Sequence, residues 1–222
     1  MDAVIHTATL HKPHVATHSK QAFVDTNITG TLNLLLEAVV AGVRSLIFTS
    51  TTITFGHALT PAPEAPAAWV TEDVVPLPKN IYGATKLAAE NLCELFYRKH
   101  QLPCLILRTS RFFPEEDDHK AMRDGYADQN AKVNEFLHRR VEIEDAVDVH
   151  LLAIDKAHQI GFGRYIISAT TPFGREDLEA IREDAPRALA KLIPEYESVY
   201  ERLGWKMFPS LDRVYVNDLA RQ

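Results

Sequence analysis

Three short β-rich runs separated by two helical patterns constrain this chain more than any other feature. Val4-Ile5-His6-Thr7-Ala8 reads as a buried strand. Between about Lys20 and Val43, the residues Phe23, Asn27, Thr31, Leu34, Leu35 and Ala38 recur at i+3/i+4 spacing, which predicts a helix, and Gly42 suits its C-terminal cap. Ser45 to Thr49 forms a second strand that runs into the hydroxyls of Ser50, Thr51 and Thr52. Asn80 is placed to cap a helix reaching about His100, with Ile81, Ala84, Ala88, Leu92 and Leu95 as its apolar stripe. Leu105 to Leu107 makes a third strand ending at Arg108. Strand, helix, strand, helix, strand is the order of a parallel sheet with crossover helices, so the expected class is α/β. Between His57 and Lys79 the prolines Pro61, Pro63, Pro66, Pro76 and Pro78 argue against regular structure, and a loop of that length is often a lid or a binding segment.

Beyond Pro114 the composition changes. Glu115, Glu116, Asp117 and Asp118 read as a solvated acidic turn. A short strand is expected around Val141 to Ile143, a helix from about Asp145, a strand from Tyr165 to Ser168, and a helical tail broken by Pro186 and Pro194. The expected division is a sheet domain over 1–113 and a small α+β substrate region over 114–222.

Charge and cysteine usage narrow the function classes. With 24 Lys and Arg against 30 Asp and Glu, the net charge is −6, which gives no footprint for nucleic acid and no basic cluster for a membrane surface. No apolar run reaches the ~18–20 residues of a spanning helix. The N-terminus has no basic segment followed by an apolar one, so no secretory signal is expected. Cys93 and Cys104 cannot form a disulfide framework, and reduced thiols point to the cytoplasm. His11, His14 and His18 do not follow a zinc spacing and are interrupted by Pro13, so no metal site is expected.

The chemistry centres on Tyr82 and Lys86. Four residues apart near the start of a helix, they share one face. A lysine ammonium beside a phenol favours the phenolate, and a tyrosine so tuned can exchange a proton near neutral pH. In open α/β sheets ligands bind beyond the carboxyl ends of the strands, where Thr51 lies. Thr51 would then hydrogen-bond the substrate oxygen on which Tyr82 acts.

These segments, in this order, resemble the extended short-chain dehydrogenase/reductase superfamily in its NAD-dependent epimerase/dehydratase branch. Asp2 to Ala8 is similar to the fourth strand of that fold. Asn27-Ile28-Thr29-Gly30-Thr31-Leu32-Asn33 is similar to its Asn-x-x-Gly-Thr-x-Asn helix, and Phe48 to Gly56 to the strand bearing the active-site Ser or Thr. Tyr82-Gly83-x-x-Lys86 matches the Tyr-Gly-x-x-Lys motif, Arg108 ends the matching sixth strand, and Val141 to Val147 resembles an element of the substrate domain. The resemblance implies a Rossmann-type sheet and an NAD(P)-dependent epimerase or dehydrogenase acting on a sugar nucleotide or similar hydroxylated substrate. In it Tyr82 exchanges the proton, Lys86 holds the nicotinamide ribose, Thr51 positions the hydroxyl, and His6, Ala8 and Asn27 lie near the cofactor. Thr52 and Arg111 fall at substrate positions. The family often pairs through helices equivalent to 20–41 and 81–100, which suggests a homodimer.

Three departures qualify the resemblance. No Gly-x-Gly-x-x-Gly occurs, so the expected Rossmann-type domain is N-terminally incomplete, binding NAD or NADP weakly through its nicotinamide half. The competing expectation is a non-catalytic remnant that binds a protein partner through its exposed strand edge. Thr52 and Ile53 stand where dehydratases carry an acid–base pair, which disfavours dehydration. Arg111 stands where sugar-nucleotide epimerases carry an Asn, and its guanidinium suits a phosphate or carboxylate.

Overall fold

The computed structural model describes residues 2–113 and 124–222; the acidic run Glu115 to Asp118 lies outside the described residues. In chain order the elements are β1 (Ala3–His6), α1 (Lys20–Phe23), α2 (Gly30–Val40), β2 (Ser45–Thr51), β3 (Ala68–Val70), α3 (Ile81–His100), β4 (Cys104–Thr109), β5 (Phe112–Phe113), α4 (Asp128–Phe136), β6 (Val141–Glu142), α5 (Ile143–Ile160), β7 (Phe162–Ile167), α6 (Leu178–Leu192), α7 (Tyr196–Leu203) and β8 (Arg213–Tyr215). They fall into two compact units. One comprises 1–57, 75–109 and 144–167; the other comprises 58–74, 110–143 and 168–222.

The first unit is built on a four-stranded parallel sheet in the order β1-β2-β4-β7. The α/β expectation is met, with β1 on an edge and Ile5 41% exposed. β2 and β4 lie between neighbours and are buried along almost their whole length, which is why they read as unbroken apolar runs. The fourth strand and its preceding helix, β7 and α5, come from the far half of the sequence. Leu35, Phe48, Ala89, Phe96 and Ile106 form the heart of this unit's core.

The expected helix from Lys20 to Val43 is present to Val40, but a π-helical turn over Val24–Thr29 interrupts it. Gly42 ends the segment with φ +62°, a conformation that costs glycine nothing. Asn80 caps α3 as expected, accepting from the Gly83 N–H at 3.0 Å. Arg98, Lys99 and His100 meet the negative end of the helix dipole.

Two expectations need correcting. The apolar stripe of α3 is not its buried face: Ala84 and Leu95 are exposed, while Tyr82, Thr85, Lys86, Ala89, Glu90, Cys93 and Phe96 face inward. Several of these inward residues are polar and satisfied by internal partners, so hydropathy misplaces the face. The segment 57–79 is not without regular structure either. Ala68–Val70 forms β3, parallel to β8, between the prolines that disfavoured a strand.

The second unit holds the paired strands β3-β8 and β5-β6 and a core around Ile181, Leu189, Phe208, Leu211 and Val214. Its α6 carries Pro186 and kinks at Asp184, the break expected of that proline. Glu135 is buried and bound by both Arg139 (2.5 Å) and Arg140 (2.9 Å), which hold its carboxyl down to about 2 against the cost of burial.

Candidate active site

Two structural facts bring the catalytic candidates together at the carboxyl ends of the strands of the first unit. β2 runs out at Thr51 and turns into a short 3-10 helix, Thr52–Phe55, whose N-cap is Thr51. The Thr51 hydroxyl oxygen accepts from the Ile53 N–H at 3.2 Å, and its carbonyl accepts from Thr54 at 2.8 Å. The start of α3 then packs directly on this turn. A Cβ on Gly83 would lie 3.0 Å from the Ile53 carbonyl oxygen and 3.2 Å from Pro78 Cβ. The glycine of Tyr82-Gly83-x-x-Lys86 thus permits the close approach that carries Tyr82 to the turn begun by Thr51. Tyr82, Thr51 and Thr52 are all buried, between 5% and 8% exposed.

Lys86 lies one turn further along the same face and is 1% exposed. Its ammonium donates to the Thr49 carbonyl at 2.7 Å and stands 3.9 Å over the Phe48 ring. Burial brings this lysine down to about 8, with Glu90 pulling in the opposite direction. An ammonium has three N–H donors. One is committed to Thr49, so the group retains further donor capacity.

The remaining cofactor candidates divide by capacity. Asn27 sits in the π-helical turn, and its wide winding presents this side chain to the interior, 2% exposed. Its oxygen accepts from Leu10 N–H (2.8 Å) and the Thr9 hydroxyl (2.9 Å); its nitrogen donates to the Leu10 carbonyl (2.9 Å) and Thr85 (3.0 Å). These four bonds use the whole capacity of a side-chain amide. Asn27 therefore fixes the segment after β1 to α3, at the residue before Lys86.

His6 ends β1 with its ring tilted against Phe48. Thr31 spends its one hydroxyl hydrogen on the Asn27 carbonyl at 2.7 Å, so its oxygen must accept from His6 Nε2–H at 2.9 Å. The ring is then neutral, with Nδ1 as the lone-pair nitrogen. Burial first, and the Lys86 charge second, hold it down at about 4. Ala8 is exposed just past β1. Arg111 belongs to the second unit, where it adds to the positive field at Arg140. The rings of His11, His14 and His18 stack edge to face, and among the described residues no group of His, Cys, Asp or Glu could hold a metal ion.

Sequence reasoning missed the layer beneath Lys86. Glu90 is fully buried, accepts from Ser50 and Arg108, and pairs electrostatically with Arg164. His150 on α5 donates Nδ1–H to the Ala146 carbonyl (2.6 Å), leaving Nε2 to accept from Thr49 at 2.7 Å. The repeat of four in Tyr82, Lys86 and Glu90 was the available signal. Cys93 and Cys104 pack together in the core, and their contact with burial pushes the Cys93 thiol up. Among the described residues no helix is long and apolar enough to cross a membrane.

Residues 1–167 match the model of the NAD dependent epimerase/dehydratase family. UDP-glucose 4-epimerase 2 of Oryza sativa subsp. japonica is 33% identical over 97 residues, 44% of this chain and only 22% of that protein. UDP-glucose 4-epimerase of Streptomyces lividans is 25% identical over 92% of this chain and 70% of its own length. The structure of UDP-glucuronic acid 4-epimerase from Bacillus cereus in complex with NAD matches with TM-score 0.61 and 19% identity, over 99% of this chain and 65% of that one. That likeness shows the Rossmann-type fold of the sheet.

Proposed function

The chain belongs to the NAD dependent epimerase/dehydratase family, and on that premise we propose that it acts as an epimerase or dehydrogenase on a nucleotide sugar or similar hydroxylated substrate, with NAD or NADP as cofactor. The observation that carries this reading is the buried succession of Thr51, Tyr82 and Lys86 where β2 ends and α3 begins. Its donors suit the nicotinamide end of a dinucleotide: Lys86 offers N–H groups to a ribose hydroxyl beside Tyr82. When bound, the dinucleotide supplies the redox chemistry.

The chain's own residues supply placement and proton transfer. Tyr82 takes the proton from a substrate hydroxyl as the carbon is oxidised and returns it in the reverse direction. The charge on Lys86 stabilises the phenolate form that Tyr82 must have before it takes that proton. Thr51, its hydroxyl oriented by the Ile53 N–H, aligns the substrate oxygen. Asn27 acts at one remove by holding Thr85 and the segment after β1 in place. Thr52, which opens the short helix after β2, contributes to substrate binding. Self-association through α2 and α3 accompanies this reading, since Leu36, Val40 and Leu95 are exposed there.

The test is turnover of UDP-sugars with NAD or NADP by the wild type and Tyr82→Phe. Loss of turnover with an unchanged melting temperature supports the assignment; retained turnover removes Tyr82 from it. A second reading, a non-catalytic module pairing through a sheet edge, draws on β1, whose Ile5 side chain is exposed. A stable complex with another protein, formed without any cofactor binding or turnover, selects that reading.

A further inference from the structure

The layer under Lys86 holds more charge than packing requires. Glu90 follows Lys86 by one turn on the buried face of α3. Its carboxylate accepts from Ser50 Oγ at 2.5 Å, from Arg108 Nη2 at 2.7 Å and Nε at 3.1 Å, and pairs with Arg164 Nε at 3.3 Å. The sheet register creates this meeting point: Ser50 of β2 lies beside Arg108 of β4, and Arg164 comes from β7, the next strand. Arg164 also binds Glu94 at 2.8 Å, at the rim of the cluster.

We propose that Glu90 is a positioning residue that sets the charge on Lys86, with Arg108 and Arg164 regulating how much of its field reaches that ammonium. The charges in this cluster are unevenly balanced. Among the described residues the fully enclosed part holds Lys86 and Arg108 against one carboxylate, Glu90, while Arg164 and Glu94 pair at the rim. Guanidinium groups do not release a proton in the accessible range, whereas a lysine does. Of the two enclosed cations, only Lys86 can therefore answer a change in the balance by gain or loss of a proton. The other titratable groups packed around the cluster are His6 on β1, Cys93 on α3, and His150 on α5, which reaches Lys86 through Thr49. Burial already lowers Lys86 to about 8, so it sits where such a balance decides its state. The consequence for Tyr82 rests on the function proposed above.

The experiment is NMR titration of the cofactor-free protein labelled with 13C at the lysine ε-carbons, the Lys86 signal being identified by its loss in Lys86→Met. In Glu90→Gln the Lys86 midpoint is expected to fall by about one pH unit, the size of effect an adjacent opposite charge exerts. In Arg164→Met, which removes a cation from the rim, it is expected to rise. A folded Glu90→Gln protein with the wild-type midpoint overturns the proposal. If Glu90→Gln does not fold, Arg164→Met decides: a midpoint that falls or stays fixed overturns it, because a merely structural Arg164 would not move the titration upward. The readout needs no turnover. Retained activity in Tyr82→Phe with both shifts present would discard the role of Tyr82 and leave the effect of Glu90 on Lys86 standing.

Discussion

Asn27 donates a 3.0 Å hydrogen bond to the hydroxyl of Thr85, which lies 58 residues further along the chain and immediately before Lys86. Thr85 passes its own hydroxyl hydrogen back to the first turn of α3, within reach of the carbonyls of Ile81 (2.8 Å) and Tyr82 (3.1 Å). The π-helical turn is thus joined to the part of α3 that carries both catalytic candidates. Asn27→Ala would leave the Leu10 N–H without its partner and open a cavity at a buried side chain, while the Thr9 hydroxyl keeps the Leu10 carbonyl (3.0 Å) and Thr85 keeps the carbonyls of its own helix. The expected loss is about 1–3 kcal/mol in urea denaturation, since one unsatisfied N–H costs more than a hydrogen bond gains. A loss below about 1 kcal/mol would show that water replaces the amide.

Gly83 makes the second prediction, because stability and catalysis should part there. Alanine favours the helix interior by about 1 kcal/mol over glycine. Its Cβ would also press on the Ile53 carbonyl at 3.0 Å, so the two effects offset one another. The displacement falls on Tyr82, where placement errors are costly. Gly83→Ala is expected to melt within a few degrees of the wild type and to turn over about tenfold more slowly. Equal turnover would mean that the turn after β2 yields without disturbing Tyr82.

The pH dependence of stability follows from His6. Its pKa in the folded chain is about 4, against 6.5 for the ordinary imidazole. Between those values the unfolded chain binds a proton that the folded chain refuses, so stability falls as pH drops through the window. His6→Gln retains an N–H for Thr31 and removes the titration. Urea denaturation at pH 7 and pH 4.5 should show the wild type losing about 2 kcal/mol more than the variant over that interval. An equal loss would place the acid sensitivity elsewhere, His138 of the second unit being held down to about 3 by burial.

The amino-acid sequence by itself determined the parallel α/β order, the Asn80 cap, the Gly42 terminus and the spacing of Tyr82 and Lys86. Those features are local: they depend on backbone conformations and side-chain periods that a few neighbouring residues impose. The inward face of α3 was not legible. A hydropathy pattern places Thr85, Lys86 and Glu90 outside, and only distant partners make their burial affordable: Asn27 for Thr85, the Thr49 carbonyl for Lys86, and for Glu90 the sheet register that brings up Ser50, Arg108 and Arg164. The tertiary structure likewise decided that β7, from the distant half of the chain, lies beside β4 and that Ala68–Val70 finds a partner in Arg213–Tyr215. Strand partners and buried charges are fixed by contacts between distant residues, and no local period encodes those.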